Sequence, residues 1–172
     1  MTEDSAGVTL EGGRGDDILT GGSSADIALF AGNKGDFTFD MAADGTLTVT
    51  DTNSNTALGV DTVTGVETLR FDDGDLRIVI AEDGSVTLTA DDGDDVITIV
   101  GNVGATIEGL GGDDILTGGD GDDVIRGGSG DDTIVGGDGA DIAIINGDKS
   151  DFTFAIGASQ ISKLGFGSDF VC

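Results

Sequence analysis

A nine-residue period constrains this chain more than any other feature. From Gly109 it divides into GLGGDDILT, GGDGDDVIR, GGSGDDTIV and GGDGADIAI. Each unit reads Gly-Gly-x-Gly-x-Asp-x-apolar-x, except that Leu110 replaces a glycine in the first. The glycine-rich part cannot be helical, because each Gly costs about 1 kcal/mol against Ala. Gly does permit positive φ, so a tight turn is accessible. The last three residues make a very short strand with one inward apolar side chain. Turn plus strand, stacked on itself, gives a parallel coil with two turns and two strands every 18 residues. A single short strand cannot bury its apolar side, so stacking is obligatory.

The period extends upstream. GGRGDDILT (12–20) is a full match, and ADDGDDVIT (90–98) keeps Gly93, Asp95 and Ile97. GGSSADIAL (21–29) keeps Asp26. The stretch 100–108 keeps only the apolar Ile107 and needs Ile99 as an insertion, and 3–11 keeps only Leu10, as an atypical end repeat would. A longer repeat overlies the short one, since 21–39 aligns with 136–154 at an offset of 115. Between the nonapeptide blocks the spacing changes to alternation, at Phe37/Phe39, Leu47/Val49, Leu69/Phe71, Leu76/Ile78/Ile80 and Val86/Leu88. That is the period of half-buried strands. Turn signals lie at 43–45, 72–74 and 82–84, and Asp51–Thr56 reads as an exposed loop. The expected organisation is 1–35, N-terminal repeats; 36–89, an antiparallel region; 90–144, the main roll; and 145–172, the opening of a second module with its tail.

Composition removes whole classes of function. No His is present, so neither a serine or cysteine triad of the usual kind nor a zinc-protease helix can be built. One Cys, Cys172, excludes an internal disulfide framework and a thiolate zinc cluster. No catalytic residue is expected. Seven Lys+Arg against 34 Asp+Glu give a net charge of -27, which opposes binding to nucleic acid or anionic membranes. No apolar run is long enough to span a bilayer. Such acidity would normally mean disorder, but here the acids recur at fixed places where cations can neutralise them. Carboxylates and carbonyls without imidazole or thiolate form a hard-oxygen environment, which selects calcium over zinc or copper.

These units resemble the repeats-in-toxin (RTX) family of haemolysin-type calcium-binding nonapeptides, strongly over 12–29 and 90–144. The resemblance implies an all-β fold: a parallel β-roll, here interrupted by a small antiparallel region. It also implies that each Ca2+ sits between one turn and the turn two repeats later. The first turn would supply the carbonyls of positions two and four and its Asp. The later turn would supply those of positions one and three and its own Asp. Carried onto this chain, one site uses Leu110, Gly112, Asp114, Gly127, Ser129 and Asp132. A second uses Gly119, Gly121, Asp123, Gly136, Asp138 and Asp141. A third uses Asp91, Gly93, Asp95, Gly109, Gly111 and Asp114. In the first module, Gly13, Gly15 and Asp17 pair with Asn33 and Asp36. The fifth-position acids Asp16, Asp113, Asp122 and Asp131 are expected to be exposed or outside the direct ligand set. Position seven (Ile18, Ile27, Val96, Ile115, Val124, Ile142) points outward, either as a sticky face or as residues chosen for strand propensity.

The opening MTEDSAGVTL has no secretory signal, and the terminal Asp169-Phe170-Val171-Cys172 resembles the tails of type I secretion substrates. Together with the repeats these imply a secreted, extracellular protein of a Gram-negative bacterium, with the type I machinery as partner. The expected function is a non-catalytic module that folds on extracellular calcium and supports secretion or stability of a larger product. An adhesin or matrix module and a fragment of a secreted enzyme are the alternatives. The short segment after Phe154 predicts a mobile tail or a homodimer through this end.

Overall fold

The computed structural model describes residues 6–54, 57–81 and 85–146, together with the backbone of Phe170–Val171. It is all-β; among the described residues the only helical turn is a 3-10 turn at Lys34–Asp36. The strands are β1 (Thr9–Glu11), β2 (Ile18–Thr20), β3 (Ile27–Leu29), β4 (Phe37–Met41), β5 (Leu47–Asp51), β6 (Val60–Thr64), β7 (Thr68–Phe71) and β8 (Gly74–Ile80). They continue as β9 (Val86–Thr89), β10 (Val96–Val100), β11 (Ala105–Gly111), β12 (Ile115–Gly119), β13 (Val124–Ser129), β14 (Thr133–Gly137), β15 (Ile142–Ile145) and β16 (Phe170–Val171). Two sheets face one another, in the orders β1-β3-β7-β8-β9-β11-β13-β15-β16 and β14-β12-β10-β4-β5-β6-β2.

The nonapeptides form the expected parallel roll, each strand pairing with the one two repeats on, as in Ile107↔Ile125 and Leu116↔Ile134. Position eight fills the space between the sheets: Leu19, Ala28, Ile97, Ile107, Leu116 and Ile125 are all buried. Position seven faces out, with Ile18 79% and Ile115 47% exposed.

The antiparallel strands do not form a separate body. They are inserted into the two sheets as two meanders, β4–β5–β6 and β7–β8–β9. Each meander joins the roll by a parallel pairing at both ends: β2 with β6 and β4 with β10, β3 with β7 and β9 with β11. The roll thus continues through the middle of the chain without an open sheet edge. The inner faces of the meanders meet in a phenylalanine cluster centred on Phe71, with ring centroids 5.5 Å from Phe30, 5.2 Å from Phe37 and 6.0 Å from Phe39. Ile80 departs from the expected alternation. It lies beyond the rim of this core, over the turn at Gly45, and is 43% exposed. The readings that concern the tail, including Cys172 and any pairing between 150 and 165, lie outside the described residues. The backbone of β16 pairs antiparallel with β15.

Close stacking of turns demands glycine at particular places. Gly128 has φ +125, and a Cβ there would lie 2.1 Å from the Leu110 carbonyl oxygen of the layer below. Gly15 has φ +100 but open space around it. Gly128→Ala is therefore expected to destabilise the chain well beyond the ~1–3 kcal/mol of backbone strain that Gly15→Ala incurs. Urea unfolding of both variants checks this; equal losses would mean that the layers are not in contact at Gly128.

Candidate metal centre

The turns stack along two edges of the roll. On one edge the chain passes from the first sheet to the second, through 91–95, 111–114 and 129–132. On the other it returns, through 101–104, 120–123 and 138–141. Backbone bonds tie successive layers together: Gly112 N–H donates to Ser129 O (3.0 Å), Asp138 N–H to Gly119 O (3.0 Å) and Asp120 N–H to Gly101 O (2.7 Å). Leu110 holds φ +78 at the position where the next three units carry Gly119, Gly128 and Gly137, so this departure from the repeat is absorbed as local strain.

Two ladders of carboxylates run along these edges in opposite senses. At position six, each Oδ1 accepts an N–H from the layer before it: Asp114 from Asp95 (2.9 Å), Asp132 from Asp114 (3.1 Å), Asp123 from Ala105 (2.8 Å) and Asp141 from Asp123 (3.1 Å). At position five, each Oδ1 accepts an N–H from the layer after it: Asp94 from Asp113, Asp113 from Asp131 and Asp122 from Ala140, at 2.8, 2.8 and 2.9 Å. Asp113, Asp122 and Asp131 are exposed, as expected, but the side chains of Asp113 and Asp122 also brace neighbouring layers.

The sixth-position acids are turned inward. Asp95, Asp114 and Asp123 are at most 1% exposed, yet the second carboxylate oxygen, Oδ2, of each has no hydrogen-bond partner among the described residues, and neither does Oδ2 of Asp17. A buried, unpaired carboxylate oxygen is costly. Burial accordingly pushes the carboxyls of Asp114 and Asp123 up to about 6. Asp26 goes the other way, held below the usual carboxylate range by the N–H groups of Gly22 and Val8. An orphaned oxygen repeated at one place in successive layers fits a cation. Among the described residues no group of three acidic side chains gathers around one point, so backbone carbonyls must complete any coordination shell. A bound calcium ion supplies two positive charges against these buried carboxylates.

These shifts set a pH dependence. Asp114 and Asp123 hold a proton more tightly in the calcium-free fold than in the unfolded chain. Their contribution to calcium-free stability is fully present below 3.8 and is lost as pH rises through about 6. Calcium competes with those protons for the folded sites, so lowering the pH from 7.5 to about 5 should weaken calcium binding to the folded chain. Calcium titrations at the two pH values check this; a pH-independent midpoint contradicts it.

The structure brings together the turns of three expected sites: Leu110, Gly112 and Asp114 with Gly127, Ser129 and Asp132; Gly119, Gly121 and Asp123 with Gly136, Asp138 and Asp141; and Asp91, Gly93 and Asp95 with Gly109, Gly111 and Asp114. It does not bring Gly13, Gly15 and Asp17 to Asn33 and Asp36. Asp17 N–H donates to Asp61 Oδ1 (2.9 Å), and Gly59 lies against Gly15. Asp36 instead accepts from Asn33 N–H (3.1 Å) and Asn53 Nδ2 (3.1 Å). The reason is topological: β6, not β4, follows β2 in the sheet. Asp26 finds a comparable partner in Glu67, whose Oε2 accepts its N–H at 2.8 Å. Asp61 and Glu67 were missed from sequence. Their signal is a matched pair, Gly59-Val60-Asp61-Thr62 and Gly65-Val66-Glu67-Thr68.

The sequence pattern of the RTX calcium-binding nonapeptide repeat matches residues 9–35, 78–104 and 107–143, in four copies. The chain belongs to this family. RTX repeats bind Ca2+, and the chain is a calcium-binding RTX module with a parallel β-roll. Repeats of this family are typically structural rather than catalytic. No curated protein matches the chain. Among solved structures it is similar to the extracellular lipase LipA from Serratia marcescens, at 20% identity and a TM-score of 0.34. That match covers 74% of this chain but 27% of the lipase, so the chain spans a small part of that protein's length. No helix among the described residues is long and apolar enough to cross a membrane.

Proposed function

We propose that this RTX module is non-catalytic, folds on meeting extracellular calcium, and supports export or stability of a secreted product from a Gram-negative bacterium. The observation that carries this reading is the set of buried sixth-position carboxylates whose Oδ2 atoms lack partners. Without cations, 34 acids repel one another and the buried carboxylates disfavour the fold. With calcium, binding free energy becomes folding free energy. Asp95, Asp114, Asp123, Asp132 and Asp141, together with carbonyls of the glycine-rich turns, are the groups we assign to holding the ions. Affinity on the order of 10⁻⁴ to 10⁻³ M suits an extracellular module. Such sites stay empty at cytosolic calcium, which keeps the chain unfolded and able to pass through a type I secretion channel.

Circular dichroism at submicromolar and at millimolar free calcium tests the proposal. A disordered spectrum that becomes β-rich only at the higher level is expected. A β-rich spectrum indifferent to a chelator would remove folding on calcium from the account.

A further inference from the structure

The lower end of one ion column is closed by a side chain. Asp95 is the sixth-position acid of the first glycine-rich turn on its edge of the main roll, with Asp114 and Asp132 stacked above it. Below it, in place of a glycine-rich turn of the repeat, lie the β7–β8 turn at Asp72 and Asp73 and the 3-10 turn that begins at Lys34. Lys34 is fully buried, although it is one of only seven basic residues in the chain. Its Nζ lies 2.8 Å from Asp95 Oδ1, 3.2 Å from Asp91 Oδ2 and 3.2 Å from the Asp73 carbonyl oxygen. Its backbone N–H is held by both carboxylate oxygens of Asp73, at 2.9 and 3.1 Å. Asp91 is fixed in turn by the N–H groups of Asp75 (2.9 Å) and Gly93 (3.1 Å). The remaining oxygen of Asp95 is buried and unpartnered, like those of the acids above.

The carboxylates of Asp95 and Asp91, that of Asp73 farther off at 4.0 Å, and the Asp73 carbonyl surround one cation, an all-oxygen environment of the kind that calcium uses. We infer that the Lys34 ammonium is a tethered substitute for calcium, taking the cation seat of the layer where the meanders join the main roll. This inference rests on the calcium reading of the turns above. A cation carried on the chain needs no free calcium, so this junction is neutralised without an ion of its own. In the sequence repeat, Lys149 stands where Lys34 stands, at the same offset of 115, ahead of the second Phe-Thr-Phe.

The test compares the full chain with Lys34→Ala, counting calcium bound per chain at saturation by equilibrium dialysis. Removing the ammonium leaves room and the uncompensated carboxylates of Asp95 and Asp91, with Asp73 close by. Lys34→Ala should therefore bind one more ion than the parent and need more calcium to fold. An unchanged count overturns the inference, whatever happens to the folding midpoint. If Lys34→Ala does not fold at any calcium level, reductive methylation of the calcium-loaded parent decides. Protection of Lys34 by at least ~100-fold against free lysine supports the seat, and modification at the free-lysine rate overturns it. A parent that binds no calcium sinks the calcium reading and this one with it. A parent that binds, with a variant of equal count, sinks only the lysine seat.

Discussion

Asp123→Ala should raise the calcium concentration at half-folding by ~10- to 100-fold, the equivalent of about 1.4–2.8 kcal/mol. Asp123 is fully buried on the edge where 118–123 and 136–141 stack. Its Oδ1 accepts the Ala105 N–H at 2.8 Å, and its Oδ2 has no partner among the described residues. The substitution leaves a buried N–H unsatisfied, which costs about 1–3 kcal/mol. It also removes a carboxylate that the proposed register assigns to the ion. Asp122→Ala is the control. Asp122 is exposed, and its bond to Ala140 N–H (2.9 Å) is open to solvent, so the loss should be under about 1 kcal/mol. Asp132→Ala should behave like Asp123→Ala, since Asp132 Oδ1 holds the Asp114 N–H. Calcium titrations followed by circular dichroism rank the three; equal midpoints for all of them would mean that the ligand register is wrong.

Phe39→Ala should cost about 3–5 kcal/mol even with calcium saturating. Phe39 is 1% exposed and meets Phe71 edge-on, in the space between the two meanders. No ion can compensate a cavity there, so the loss should appear in urea unfolding at high calcium. A loss below about 1 kcal/mol would mean that the phenylalanine cluster does not hold the meanders together.

Much of this was legible because the nonapeptide is local. Within nine residues each position has one physical task, so Ile107 could be placed inward although its unit keeps nothing else of the motif. The stacking of Asp114 on Asp132 follows from the period alone. The meanders are different. Alternation at Phe37/Phe39 and Leu47/Val49 announces strands but not their neighbours. The chain detours through β4 and β5 before β6 returns to β2, so Asp17 meets Asp61 across 44 residues instead of meeting a turn nearby. β6 itself escaped notice because its inward face carries Asp61 beside Val63, and an acid at an inward position breaks the apolar alternation. Lys34 carries no local signal of its burial: its partners Asp73, Asp91 and Asp95 are 39, 57 and 61 residues away, and no local pattern connects them.

The most direct measurement is a crystal structure of the calcium-loaded chain with anomalous scattering recorded to locate the ions. Binding in the proposed register predicts peaks between turns 109–114 and 127–132, and between 118–123 and 136–141, each within about 2.3–2.6 Å of a sixth-position Asp oxygen. Peaks lying instead against the fifth-position acids Asp113, Asp122 and Asp131, or no peaks along either edge, would contradict it.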